Sequence, residues 1–274
     1  ILSFIPVDKN VEIMLVTITN TGRMAQTVTP TAAIPLYGRS ADNIRDHRHV
    51  TSLLHRIETT DTGVLVTPTL SFDERGHQVN HMTYYCVGWS GNGEKPVDFY
   101  PTAEDFVGEG GNFERPYAIV KNAEGVKAGT KIEGLEAVGG LHFSEITLEP
   151  EEECSYLIFT GITEDIQEIR NLSKTYTTRE KVLEELEKTK AYWQEKVNVA
   201  YHTGDSDFNQ FMHWVSFQPI LRRIYGCSFL PHHDYGKGGR GWRDLWQDCL
   251  ALLIMNPDGV RQMLLDNFAG VRKD

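Results

Sequence analysis

The sequence is short of cationic charge, of cysteine and of long apolar runs, and each shortage removes a class of function. Lysine and arginine number 27 against 38 aspartates and glutamates, a formal net charge of −11. That balance argues against a nucleic-acid partner and gives an anionic membrane nothing to attract. No apolar run approaches the roughly 20 residues that a membrane-spanning helix needs. The opening ILSFIPVDKN lacks a basic lead and a cleavage signal, so it does not read as a secretory peptide. The four cysteines, Cys86, Cys154, Cys227 and Cys249, are scattered and form no CxxC pair. This fits neither a zinc site nor the disulfide framework of a small secreted fold, and reduced thiols in a cytoplasmic compartment are expected. Internal repeats and low-complexity tracts are absent. So is an initiator methionine, and the chain ends on VRKD without a stop signal; a piece of a longer protein is expected.

What is present is a globular composition, 40% hydrophobic and 24% charged over 274 residues, enough for one large domain or two ordinary ones. The first 160 residues read as β. VEIMLVTITN is a β-branched run closed by the turn signal Asn20-Thr21-Gly22, and QTVTPTAAIPLYG resumes the extended pattern. GVLVTPTLSF, HMTYYCVGW, LHFSEITL and CSYLIFTGI follow, with no helix-length amphipathic segment between them. Strands in series without helices argue for an antiparallel β-sandwich over residues 1–160. The character changes near Gly161. ITEDIQEIRNLSKTY reads as a short helix, and Thr177 to Glu180 offers a capping box with Thr177 as cap, opening a Glu/Lys-rich helix with one apolar stripe. This helical linker, residues 161–204, leads to helices over 205–274: one capped by Asp205 to Asp207 and kinked at Pro219, one from Trp242 to Asn256, and one from Asp258 to Phe268. The fold class is therefore multi-domain, β then α.

The densest chemistry lies in GKGGRGWRDLWQD. The preceding loop, Gly226 to Gly241, holds five glycines in sixteen residues. It reads either as a cradle for an anion or sugar at the next helix's N-terminus, or as a flexible helix connection. It lacks the GxxxxGK[ST] spacing of a P-loop. His232, His233 and Asp234 do not read as a metal site, because adjacent loop histidines diverge and no further ligand sits at a recognisable spacing. On a helix, Asp244 and Asp248 share a face, as do Arg243 with Gln247 and Trp242 with Trp246. The next turns, CLALLIM, are apolar all round and read as buried. Charged groups leading into a buried helix line a cavity or need buried partners. A sugar suits such a set: carboxylate and guanidinium forks take vicinal hydroxyls while an indole takes the ring's C–H face. A glycosidase pair must flank the scissile bond, about 5–5.5 Å or 6.5–9.5 Å apart, which neighbours on one helical face do not easily do. In the β region, RSADNIRDHRHVTSLLHRI reads as a solvated loop or as one reaching over a carbohydrate or phosphate site. GEGGNFERP, Gly108 to Pro116, is a glycine-rich turn to which nothing is assigned.

A β-sandwich, a helical linker and a glycine-rich loop entering GWRDLWQD together resemble the cellobiose phosphorylase family, glycoside hydrolase family 94. The family motif, a glycine-rich loop then G-aromatic-R-D-x-x-Q-D, is matched by Gly241, Trp242, Arg243, Asp244, Gln247 and Asp248. The resemblance implies that the helices after 204 open an (α/α)6 barrel. The family's general-acid aspartate and much of its phosphate site lie downstream of this motif, so no catalytic residue is expected within this chain. By the same resemblance Arg243 and Asp244 hold the sugar on the non-reducing side of the scissile bond. Trp242, Gln247 and Asp248 are motif positions of the substrate site, and Lys237 and Arg240 lie where a family arginine meets ligand. The implied reaction is inverting phosphorolysis of β-linked gluco-oligosaccharides to α-glucose 1-phosphate. One carboxylic acid protonates the leaving oxygen, and phosphate, already anionic, needs no general base. Inorganic phosphate is a co-substrate; neither metal nor organic cofactor is expected. The most similar members are the β-1,2-oligoglucan phosphorylases, ahead of the cellodextrin and laminaribiose enzymes. A homodimer and the C-terminal remainder of the same protein are the implied partners. An inverting glycoside hydrolase on the same barrel, and a carbohydrate-binding module in which the β region works alone, are the rival readings.

Overall fold

In the computed structural model, which describes residues 1–38, 51–73, 76–225 and 242–269, the apolar runs of the first half become strands. In chain order they are β1 (Leu2–Phe4), β2 (Val11–Thr19), β3 (Gln26–Val28), β4 (Thr31–Leu36), β5 (His55–Thr59), β6 (Gly63–Pro68) and β7 (Leu70–Asp73). There follow β8 (Gly76–Val79), β9 (Thr83–Ser90), β10 (Asp98–Thr102), β11 (Lys131–Glu133), β12 (Ala137–His142), β13 (Ile146–Leu148) and β14 (Glu153–Thr163). A seven-stranded sheet runs β1-β2-β14-β9-β6-β5-β11, and a three-stranded sheet runs β10-β12-β4. Every neighbouring pair in both is antiparallel.

Successive side chains of a strand point to opposite faces, so a continuous apolar run serves two cores at once. From β14, Leu157 and Phe159 enter one core while Tyr156 and Ile158 enter the other. Tyr85 and Val87 of β9 oppose Cys86 in the same way, and Leu65 of β6 opposes Val64 and Val66. One core lies between the two sheets, where Leu36, Phe99, Ala137 and Leu141 meet the large sheet. The sheets approach so closely that a Cβ on Gly139 would lie 2.2 Å from the Cys86 Cβ. Burial there pushes the Cys86 thiol up to about 12, so it stays protonated at neutral pH. Cys86, Cys154 and Cys249 are free thiols; Cys227 lies outside the described residues.

The second face of the large sheet is covered by helix. Two one-turn helices, α1 (Ala103–Val107) and α2 (Tyr117–Lys121), follow β10, and α3 (Ile166–Thr175) and α4 (Arg179–Lys196) follow β14. Asp165 caps α3 by accepting from the Gln167 N–H at 2.8 Å, and Ile169 and Leu172 turn onto the sheet. The Trp89 indole stacks on Phe159 at 4.7 Å and donates its N–H to the Tyr176 carbonyl at 2.8 Å, which ties the end of α3 to the strands. Helix α4 begins at Arg179, so its cap position is Thr178, one residue later than the capping-box reading from Thr177. The Thr178 side chain bonds to Glu180 and helps hold that carboxyl below its usual value, after the helix-end backbone.

Two further departures from the sequence reading have plain causes. The charge of the stretch from Arg39 points to loop through Ile57, yet β5 begins at His55, with His55, Ile57 and Thr59 buried and Arg56 and Glu58 exposed. The two one-turn helices leave no mark in the sequence, being five residues each and too short to show a helical period.

The chain divides into compact units at 1–187 and 188–274. Helix α4 gives Val182 to the first core and Trp193 to the second, and Val197, the residue after the helix, joins the second as well. The second unit holds α5 (Ser206–Tyr225), α6 (Trp242–Met255) and α7 (Val260–Phe268). Asp205 caps α5 through the N–H groups of Asp207 and Phe208, and Pro219 lies inside that helix. Ile220, Leu245, Cys249, Leu252, Met255 and Val260 form its core. No described helix is long and apolar enough to cross a membrane.

Because Phe159 is fully buried and stacks on both Trp89 and Tyr176, truncation leaves a cavity that neither ring can fill. Phe159→Ala should cost the first unit about 3–5 kcal/mol in a urea titration followed by tryptophan fluorescence. An unchanged midpoint would show that the helical cover is not held there.

Candidate functional site

Helix α6 carries the motif. Trp242, Arg243 and Asp244 open its first turn, and the helical repeat brings Gln247 beneath Arg243 and Asp248 beneath Asp244. Arg243 and Gln247 are exposed, Leu245 is buried, and Trp246 packs edge-on against Phe268 of α7 at 5.4 Å. The side chains of Trp242 and Asp244, and all of Lys237, Arg240 and Gly241, lie outside the described residues; so does the His232-His233-Asp234 run.

Asp248 is 3% exposed and its carboxylate is filled from within the protein. Arg222 of α5 donates its Nε–H to Oδ2 at 2.7 Å and an Nη2–H to Oδ1, a two-pronged ion pair between the neighbouring helices. A buried carboxylate without such a partner would be costly, so the pairing explains how a charge is kept among Leu245, Cys249 and Leu252. The other end of α6 is fastened too, from α5 and from the segment that follows α4. Arg223 donates to the Asn256 carbonyl at 3.0 Å, and Asn198 donates to the Met255 carbonyl at 3.0 Å, satisfying acceptors that the end of α6 leaves open. The sequence reading missed Arg222. Its signal is a cation inside the apolar stretch PILRRIY, matched by a carboxylate inside another apolar helix.

The apolar turns after Asp248 are not buried all round. Cys249, Leu252 and Met255 face the core, but Leu250, Leu253 and Ile254 are 67%, 55% and 76% exposed. Packing in this unit takes up only one side of α6.

The exposed part of the site therefore offers a planar guanidinium and an amide, one turn apart on one helical face. Such groups supply paired donors and an acceptor for neighbouring hydroxyls. Among the described residues no three histidine, cysteine or acidic side chains converge to hold a metal ion.

In the first unit one buried titratable group stands out. His55 is 3% exposed, with Nδ1 3.1 Å from the Leu135 carbonyl, to which it donates. Burial lowers its pKa from the ordinary 6.5, against the opposing pull of the Leu135 and Gly38 carbonyls and Glu136. The fold thus prefers the neutral ring.

A two-sheet antiparallel unit followed by a helical one defines a β-then-α protein of modular build, and comparison with known families makes it specific. The family model described as "Glycosyl hydrolase 94, supersandwich domain" matches residues 1–179. This chain belongs to glycoside hydrolase family 94. A relative, the cyclic beta-(1,2)-glucan synthase NdvB of Rhizobium meliloti (strain 1021), is 26% identical over 185 residues. The match takes in 66% of this chain but only 6% of that protein's length.

Two outcomes follow from this geometry. Removing one partner of the Arg222–Asp248 pair strands the other, so Arg222→Met should destabilise the second unit by about 3 kcal/mol, the low end for buried pairs because Arg222 is partly exposed. Arg222→Met with Asp248→Leu should recover most of that loss by calorimetry; equal losses would mean that the charges do not compensate each other. For His55, a folded pKa below the unfolded one gives stability that is complete above the unfolded value and lost as pH falls through the folded one. Denaturation midpoints should therefore decline from about pH 7 to pH 5 more steeply in the wild type than in His55→Gln.

Proposed function

We propose that this chain is part of a glycoside phosphorylase acting on β-linked glucose chains, with the β-1,2 linkage as its preferred substrate. The observation that carries the reading is the family match over residues 1–179 together with the motif at the start of α6. The β-1,2 preference is favoured by the relative named as a cyclic beta-(1,2)-glucan synthase. On this reading α5, α6 and α7 begin an (α/α)6 barrel, and further helices of the same protein cover Leu250, Leu253 and Ile254. Arg243, Asp244 and Gln247 hold the glucose unit on the non-reducing side of the bond to be broken. Asp248, clamped by Arg222, sets the register of α6 beneath them. Lys237 and Arg240 belong to the loop entering the site and supply positive charge to ligand.

The chemistry is a displacement with inversion. A carboxylic acid outside these 274 residues protonates the leaving oxygen, while a phosphate oxygen attacks the anomeric carbon from the opposite face. The products are α-glucose 1-phosphate and a chain one unit shorter. Phosphate brings its own negative charge, so the site needs cations and hydroxyl-binding forks but no second carboxylate as base. A homodimeric, cytoplasmic enzyme without metal or organic cofactor completes the proposal. The similarity to the named synthase favours a second reading, in which the chain is a segment of a β-1,2-glucan synthase.

Incubating the whole protein with β-1,2-gluco-oligosaccharides, with and without phosphate, separates the two. The phosphorylase releases glucose 1-phosphate only when phosphate is present; chain redistribution without phosphate would support the synthase segment. Asp244→Asn keeps the shape of the fork but gives up its charge, and should lower kcat/KM by about ten- to a hundredfold. Both limbs of the pH–rate profile should remain. Loss of a limb would make Asp244 the proton donor and overturn its role as a sugar-holding group.

A further inference from the structure

The first unit has a built depression that the α6 motif does not explain. Two hollows, of about 340 and 550 Å³, lie around helix α1 and share Glu104, Gly108 and Glu109 in their walls. Each falls within the roughly 300–1,000 Å³ of ordinary ligand sites. One continues to Tyr117 and Glu124, the other to Phe113, so a single path crosses the end of α1 between two exposed aromatic rings. Tyr117 is 52% exposed and Phe113 is 47% exposed.

These rings are held in place. Gly108 has φ +79°, and a Cβ there would lie 2.6 Å from the Tyr117 Cβ, so Tyr117 rests on bare backbone that only glycine provides. Phe113 packs on Phe106 at 5.8 Å, and Phe106 on Tyr100 of β10 at 5.7 Å, which anchors the path to the small sheet. Thr102 and Asp105 bond reciprocally at the start of α1, and Asn112 accepts the Glu114 and Arg115 N–H groups at 3.0 Å. The aromatic faces are thus presented by a stiff support.

The charge along the path selects its ligand. Glu104, Glu109 and Glu124 line it, and neither hollow has a lysine, arginine or histidine in its wall. Anionic ligands are repelled. A metal ion is not the answer either, since no three acidic groups among the described residues converge on one point. In a carbohydrate-active family, a ligand with many hydroxyl donors for the carboxylates and an apolar face for the rings fits such a lining. We infer that the path over α1, from Tyr117 to Phe113, binds a neutral β-glucan chain, with glucose rings on the two aromatic faces and hydroxyls donated to Glu104, Glu109 and Glu124. The inference rests on this chain's membership of a carbohydrate-active family and on the path itself, and it does not require phosphorolysis.

The test is calorimetric titration of the 274-residue chain in phosphate-free buffer with β-1,2- and β-1,4-linked glucohexaose. Binding should be insensitive to salt. Tyr117→Ala should weaken it by roughly tenfold, the scale of one lost aromatic contact, while Tyr117→Phe keeps it. All three proteins should melt alike, since Tyr117 is half exposed. A wild-type chain that binds neither hexaose overturns the inference, as does a Tyr117→Ala variant that binds as well as wild type. Binding of a lysine-rich peptide that salt abolishes, with no sugar bound, would assign the path to a cationic protein segment instead. A change of oligomeric mass in Tyr117→Ala without any effect on sugar binding would assign it to a contact between copies. Because the readout is binding without phosphate, a failed phosphorolysis assay leaves this result standing, and the reverse is equally true.

Discussion

Strand β14 must satisfy two faces at once, and the first unit is organised around that demand. Its centre, Tyr156 to Phe159, has no polar side to offer solvent, and neither do its neighbours β9 and β6. A sheet with one such strand packs against a single partner layer; three of them side by side require cover above and below. The small sheet supplies one layer and α3 with the start of α4 supplies the other. The helices after Gly161 are therefore structural necessities of the sheet rather than a passive tether. The Trp89 indole N–H to the Tyr176 carbonyl shows how specific the cover is: a buried polar group of the sheet is satisfied only when the end of α3 sits in place.

The second unit solves a different problem, the placing of charge within apolar helices. Leu245, Cys249 and Leu252 would pack as well against a leucine as against Asp248, and a buried ion pair is poor evidence for stability. Its effect is on register. Asp248 meets Arg222 at only one setting of α6 along α5, whereas apolar faces tolerate sliding. Gln247, the residue before Asp248, and Arg243, one turn above Gln247, are thereby fixed in height. The far end is set independently by Arg223 and Asn198 on the last carbonyls of α6. A helix pinned at two points holds the exposed groups of its face with small error, and hydrogen bonds from those groups act only within a few tenths of an ångström.

The strands were legible because doubly buried runs such as GVLV, TYYCVGW and SYLIF leave a continuous apolar mark. What escaped has common causes. His55 to Thr59 alternate correctly for a strand, but they follow Arg45, His47, Arg48 and His49, whose charge dominates any window that includes both. Helices α1 and α2 are shorter than the period needed to see them, so the glycine-rich turn between them looked empty, though it carries Phe113 and leads to Tyr117. Arg222 and Asp248 lie 26 residues apart, and nothing local in either helix names its partner. The exposed Leu250, Leu253 and Ile254 show the opposite limit: an all-apolar turn tells that it can be buried, not on which side its partners lie. The motif at Gly241 to Asp248 was legible as a constellation, while the interior place of Asp248 came only from packing.

The proposed phosphorolysis makes an electrostatic demand that hydrolysis does not. With 38 acidic residues against 27 basic ones, the long-range field repels a phosphate anion, and at physiological salt that field is screened beyond about 8 Å. Attraction must then be local. The motif region is where cations gather: Lys237, Arg240 and Arg243 occur within seven residues at the entry to α6, whose N-terminal N–H groups add partial positive charge of the same sign. The depression around α1 has the reverse character, with Glu104, Asp105, Glu109 and Glu124 and no cation in its walls. A neutral glucan chain is indifferent to the net charge, whereas an anion such as phosphate is favoured near the first and disfavoured near the second. Under the two proposals made above, this division of charge separates two tasks: a sugar polymer is assigned to the acidic surface, and the anionic nucleophile to the part of the chain where arginine and the helix N-terminus are concentrated.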